Sequence, residues 1–444
     1  MTGTSAIPAA EPTGKPSERP AHRDPNVLRW LGAYASSAIG DNIYYIALSW
    51  ASVQAGTPSQ AGLVMAVSAA PRALLMLGGG VLADRFGPRR VLIVSDSARC
   101  AAVLTVTTLL LVSSPGLWLL ALLAVVFGTL DAVLMPALGA LPARITARGQ
   151  LARVQGMRGM ASRLANVVGA PLGGLGVTLG GAAAAFGVAA LLFSASLPLV
   201  MAVRMGRPAT EGKPAGRAAW DKPAEEMPAA RAEPVGEARA DRPARGELRA
   251  GLHYIRRHPV LARLILVIAL SDLGFVGPLN VGLTLLADER GWGAPGMGWV
   301  LAGFGVGAGA ASTWLTVRGR VPRAGLVLSV TITLGAVAIG GLAYVPGVAA
   351  AVAVALGIGL LAGLSGALCG ALIQTESDPA YLGRVTSVST LFSLGLAPLT
   401  FPLTGAAIGL WGTAPVFTAS AALCGLGGIY GLCTRPVRRA ELPS

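Results

Sequence analysis

Twelve runs of predominantly apolar residues follow one another along the chain, each long enough to cross a lipid bilayer, and they constrain the fold more than any other feature. They cover residues 28–53, 60–82, 91–112, 117–140, 157–179, 183–203, 260–287, 297–317, 324–345, 349–373, 385–408 and 414–434. A hydrocarbon core of about 30 Å needs roughly 20 residues of helix to span it. Without water, only a segment that satisfies its own backbone hydrogen bonds can do so. The chain is therefore predicted to be an all-α membrane protein of twelve transmembrane helices in two six-helix bundles. Composition agrees: 53% of the 444 residues are hydrophobic and only 13% charged, which excludes a water-soluble domain of this size. Sixty glycines would weaken soluble helices, but in lipid they let neighbouring helices approach closely.

Residues 1–27 read as a disordered cytoplasmic tail, 28–203 as the first bundle, 204–259 as a cytoplasmic linker, 260–434 as the second bundle and 435–444 as a second tail. The linker is a mixture of Pro, Ala, Arg and Glu that cannot bury an apolar face. Its end, ELRAGLHYIRRH, places Leu248, Leu252 and Ile255 on one side. That fits either an interfacial amphipathic helix or a solvated extension of the seventh span. The formal charge of +14 does not mark a nucleic-acid partner, because the arginines flank the apolar runs rather than lining one soluble face. They alternate between connections. Arg85, Arg89 and Arg90 follow the second run, Arg144, Arg148 and Arg153 the fourth, Arg318, Arg320 and Arg323 the eighth, and Arg384 precedes the eleventh. Short basic loops stay in the cytoplasm, so both termini are expected there and the protein in the cell (inner) membrane.

The halves look duplicated. Gly156 precedes Ala170-Pro171-Leu172 by the interval that separates Gly383 from Ala397-Pro398-Leu399, and a similar displacement relates Asp41 to Asp272. Parallel repeats of this kind place a solute site at their interface. Charged residues inside the spans are the best markers of that site, since each is costly in hydrocarbon. At 1.5 Å per residue, Asp41 lies about 16 Å from Trp30, Arg72 about 18 Å from Asp84, Asp131 about 15 Å from Leu141 and Asp272 about 18 Å from Val260. Ser37, Asp41, Tyr45 and Ser52 share one face of the first helix as a cavity-lining stripe, to which Asn166 and Arg163 of the fifth helix can add. Arg72 is expected either to pair structurally with one acid or to tune the proton affinity of Asp41 and Asp272. Asp96 and Arg99, one turn apart nearer the cytoplasmic end, read as a structural pair that can reach water.

The string GVLADRFGPRR, with Gly80, Asp84, Arg85, Gly87, Arg89 and Arg90, resembles the signature of the major facilitator superfamily: Gly, three residues, Asp-Arg, one residue, Gly, one residue, two basic residues. The resemblance implies a loop that latches the two bundles on the cytoplasmic side. Arg318, Arg320 and Arg323 mark the corresponding loop of the second half, which lacks an equivalent Asp. In the fifth helix Gly156, Ala165, Gly169, Pro171, Gly173 and Gly174 resemble an antiporter motif associated with export, and close helix packing accounts for the same glycines. IGDNIYYIALSW, from Ile39 to Trp50, is similar to the group of macrolide-efflux and enterobactin-export proteins.

No phosphate loop is present, since Lys15 and Lys213 are each followed by proline. His22, His253 and His258 lie outside the spans, and Cys100, Cys369, Cys424 and Cys433 have no metal-like spacing, so neither metal nor cofactor nor enzymatic activity is expected. The resulting expectation is a monomeric, proton-coupled exporter of a small amphiphilic molecule. A nutrient importer of the same fold and a receptor that transports nothing are the alternatives.

Overall fold

The computed structural model describes residues 21–113, 116–146, 150–204, 252–318, 321–378 and 381–442, without the side chains at 76–81, 83, 84, 152 and 387. Most of the expected first tail and linker thus lies outside the described residues. What is described is almost wholly helical. In the first half α1 runs Pro25–Ala55, α2 Pro58–Phe86, α3 Pro88–Val112 and α4 Leu117–Ala140. Next comes α5, Leu151–Met201, which is two spans joined at a sharp bend. The bend falls at Gly180 and Gly181, where Gly181 has φ 68°, a conformation that side chains disfavour.

In the second half α6, Leu261–Gly277, continues through a π turn at Pro278–Gly282 into α7, Leu283–Glu289, making one span. Proline explains the turn, because Pro278 has no N–H to give the helical ladder. The rest are α8 Gly293–Arg318, α9 Ala324–Leu342, α10 Val348–Glu376, α11 Leu382–Trp411 and α12 Thr413–Cys433. Nine of these segments among the described residues are long and apolar enough to cross a membrane, with α6 and α7 taken together and α5 counted once. The bend of α5 divides it in two, and α1 and α2, each long enough to cross, bring the number of spans to twelve.

The two bundles touch along a pseudo-symmetric pair of seams, α2 against α11 and α5 against α8. Glycine makes both possible. A Cβ on Gly62 would sit 2.6 Å from the Phe401 carbonyl oxygen, and one on Gly174 would sit 2.5 Å from that of Ala294. Gly298 packs reciprocally on Ala170 and Pro171, and Gly405 on Pro58 and Gly62. Almost all these contacts lie at the end of the molecule away from the arginine-rich connections.

The cores follow the same division. At that opposite end, one continuous apolar cluster joins Ile43, Tyr44 and Leu48 of α1 to Val281, Leu285, Phe401 and Ile408 of the second half. Ser49 and Thr284 share a buried hydrogen bond there at 2.6 Å, and Gln54 donates to Asp288 at 2.7 Å. At the basic end the cores are separate. One is built from Trp30, Leu92, Leu141 and Val200 of the first half, the other from Leu261, Ala324, Leu372 and Val385 of the second. Gly156 and Gly159 face open space there, since a Cβ on either would meet nothing within 4 Å. The bundles are therefore closed together at one end and parted at the basic end.

Candidate functional site

Arg99 sits at the centre of the most concentrated charge in the described molecule. It projects from α3, is fully buried, and reaches carboxyls on three different turns or helices. Its guanidinium lies 3.2 Å from Asp41 of α1 and 3.9 Å from Asp96 one turn back on α3, and it contacts Asp131 of α4. Phe127 and Phe193 place their rings 5.6 and 5.8 Å from the same guanidinium, giving it aromatic faces on its remaining side.

Asp96 and Asp131 are held by further donors. Ser37 donates to Asp96 at 3.1 Å, and Ser196 also donates to it. Tyr45 donates to Asp131 at 3.2 Å. Nearby, Asn42 donates to Asn166 at 3.1 Å, tying α1 to α5. A cavity of about 270 Å³ lies against this cluster, lined in part by Asp41, Tyr45, Arg72, Asp131 and Asn166. Five of the six sequence-predicted pathway residues thus meet in one place. The sixth does not.

Asp272, on α6, lines a different cavity of about 400 Å³ inside the second bundle. It accepts a hydrogen bond from Ser393 at 2.6 Å and forms no ion pair among the described residues. The repeat-related acids therefore occupy corresponding helices but separate cavities. The expected partner also differs. Arg72 lines the first cavity without an ion pair among the described residues, whereas Arg99 provides the pairing charge. In the Asp96–Arg99 pair Arg99 is fully buried, while Asp96 is nearly buried but lies on the wall of the first cavity. Of the expected stripe on α1, Ser52 is buried and donates to the Leu48 carbonyl instead of lining the cavity.

In the loop motif Gly87 has φ 81° and starts α3 directly after α2, the tight turn its glycine allows. Arg89 donates to the carbonyls of Val200, at 3.3 Å, and Met201, capping the end of α5 within its own bundle. Arg85 and Arg90 are exposed, Gly80 lies on α2, and the side chain of Asp84 is outside the description. In the antiporter-like motif Gly169 and Gly173 pack on Asn42 and Ile46 of α1, and Gly174 packs on α8. Pro171 lies inside α5, its Cα 3.1 Å from where a Cβ on Gly298 would be.

The sequence profile of the Major Facilitator Superfamily matches residues 30–397, most of both bundles. The chain belongs to that superfamily. No curated protein matches it. Solved structures of this major facilitator fold are similar in shape but distant in sequence. The nucleoside transporter NupG superposes with a TM-score of 0.67 at 10% identity, covering 92% of this chain and 100% of its own. A D-xylose–proton symporter gives 0.64 at 10% identity, covering 94% and 98%. A bacterial homolog of the human lysosomal transporter Spinster, in an inward-facing and occupied conformation, gives 0.63 at 12% identity, covering 94% and 98%.

Proposed function

We propose that this major facilitator protein is a secondary transporter that exports a drug, antibiotic or other small amphiphilic metabolite in exchange for protons. The observation that carries the reading is the cluster of Asp41, Asp96 and Asp131 around Arg99, beside a cavity in a molecule parted at one end only. Three carboxyls facing one guanidinium leave a surplus of acid groups that a proton can neutralise. Rocking the bundles about the shared core would expose such a site to each side in turn. With the basic connections in the cytoplasm, the parted end faces the cytoplasm, both termini lie there, and solute enters from inside. Residues 1–27 and 204–259 are then a cytoplasmic tail and linker, and the monomer suffices for transport. The loop from Gly80 to Arg90 acts at the cytoplasmic closure, formed only after the bundles swing.

Export rather than import rests on the likeness of the α1 segment to macrolide-efflux and enterobactin-export proteins and on the antiporter-like glycines of α5. A second reading, import by proton symport, draws on the likeness to a nucleoside transporter and a D-xylose–proton symporter. Membrane vesicles of opposite orientation separate the two. Everted vesicles energised with a proton gradient should take up a macrolide or another amphiphilic solute in a manner abolished by an uncoupler. Gradient-driven uptake confined to right-side-out vesicles would overturn export in favour of import. Asp41→Asn should abolish the solute-driven proton flux, and full flux in that variant would remove the first-bundle cluster from the coupling path.

A further inference from the structure

We infer that the second-bundle cavity is a binding site for an organic cation with apolar bulk, seated with its positive charge on Asp272. This deepens the transport reading by assigning a solute class to the second bundle. The cavity holds about 400 Å³, room for a drug-sized group rather than a lone ion or proton. Its wall surface is more apolar than polar, with Ile268, Ile332 and Ile358 contributing among others, several serine and threonine side chains lie between them, and Phe275 adds an aromatic ring. Asp272 is the sole charged group among the described residues lining it, and no arginine, lysine or histidine is present to receive an anion.

That charge pattern selects by exclusion as well as attraction. A carboxylate or phosphate ester would face Asp272 with nothing to offset it, and burying an unpaired charge is costly. A monocation would pair with Asp272 in a low-dielectric site, while the aliphatic walls bury its carbon and Phe275 can contact it through the ring face. Ser393 already donates to Asp272 at 2.6 Å and fixes the carboxyl, and Ser365, Ser389 and Thr390 offer hydroxyls to neutral polar groups on the same ligand. In the first cavity, by contrast, all three acids already lie against Arg99, and Arg72 and Arg158 stand among the lining residues. A cation finds no lone acid there.

The test is equilibrium binding of tritiated tetraphenylphosphonium, a permanent cation, to the full chain in lipid nanodiscs at neutral pH without any gradient. Saturable binding is expected, displaced by rhodamine 6G and not by fluorescein, which has a similar ring system with the opposite charge. Asp272→Asn should weaken binding about tenfold or more, while Asp272→Glu, which keeps the charge, should stay within about threefold. A monodisperse, folded Asp272→Asn protein separates this from misfolding. The inference is overturned if neither cation binds saturably, if fluorescein competes as well as rhodamine 6G, if Asp272→Asn binds like the parent, or if affinity follows Asp41 instead. Because no gradient is present, intact binding with no proton-coupled export would sink the transport reading alone. A transported neutral solute with no cation binding would sink this inference alone.

Discussion

Asp41 and Asp272 occupy corresponding places in two repeats, yet their surroundings make them different chemical groups. Asp41 shares Arg99 with Asp96 and Asp131 in a compact network that includes Ser37, Ser196 and Tyr45. Asp272 has Ser393 and a roomy apolar cavity. The two carboxyls match in position, and the helices packed beside each give them different surroundings. Under the proposed function, an acid that shares its counter-charge with two neighbours suits proton exchange. A lone acid in an open pocket keeps its charge available to an incoming molecule.

The contrast is broken most directly at Arg99. Arg99→Gln leaves three carboxyls, two of them buried, without their counter-charge, and removing one partner of a buried pair costs about 3–5 kcal/mol. The unfolding midpoint in a denaturing-detergent titration should fall steeply, and the further changes Asp41→Asn and Asp131→Asn should recover much of the loss. Asp272→Asn should cost less than about 1 kcal/mol, because the amide oxygen can still accept from Ser393. Equal losses from Arg99→Gln and Asp272→Asn would show that the two acids are not differently held.

Much of this architecture was legible in the sequence, and the limits of that reading have a physical cause. Run lengths gave the twelve spans, and Gly180 and Gly181 fall in the gap between residues 179 and 183, where the fifth and sixth runs divide. Counting along a helix gives depth, so Asp41 and Asp131 were correctly matched in height. It does not give the rotation of one helix against another. Counting set Arg72 at the depth of Asp41 and Arg99 nearer the cytoplasmic end, whereas the packing of α3 against α4 and α5 brings Arg99 onto Asp41 and Asp131. A signal was present: Ser95, Asp96 and Arg99 fall on one side of α3, and three polar residues on one side of a membrane helix mark a face turned to protein. The separation of Asp272 into its own cavity left no trace in local sequence, because it depends on five helices at once.

A smaller effect is expected where the bundles close. Gly405→Ala would drive a Cβ to 2.4 Å from the Pro58 carbonyl oxygen, so the seam between α2 and α11 must open to accommodate it. Overpacking of this kind costs about 1–3 kcal/mol, here charged to the state closed at that end. A cysteine introduced by Ser49→Cys or Thr284→Cys should then react faster with an impermeant thiol reagent applied from the non-basic side. Gly156→Ala, at the parted end where a Cβ meets nothing within 4 Å, should leave that reactivity unchanged. Faster labelling in both variants would mean that the two ends are not differently closed.

The finest distinction between the two acids lies in single hydroxyls. Tyr45→Phe removes the donor to Asp131, and Ser393→Ala removes the donor to Asp272, each worth about 1 kcal/mol in an ordinary setting. The two should not cost the same. Asp131 keeps the Arg99 guanidinium when Tyr45 is lost, so its charge remains satisfied and the unfolding midpoint should barely move. Asp272 keeps no hydrogen-bond donor among the described residues when Ser393 is lost, so a larger shift is expected, together with weaker tetraphenylphosphonium binding because the carboxyl is no longer fixed. A Tyr45→Phe shift as large as that of Ser393→Ala would show that Arg99 does not carry the first cluster, and the division between a networked and a lone acid would fail at its most sensitive point.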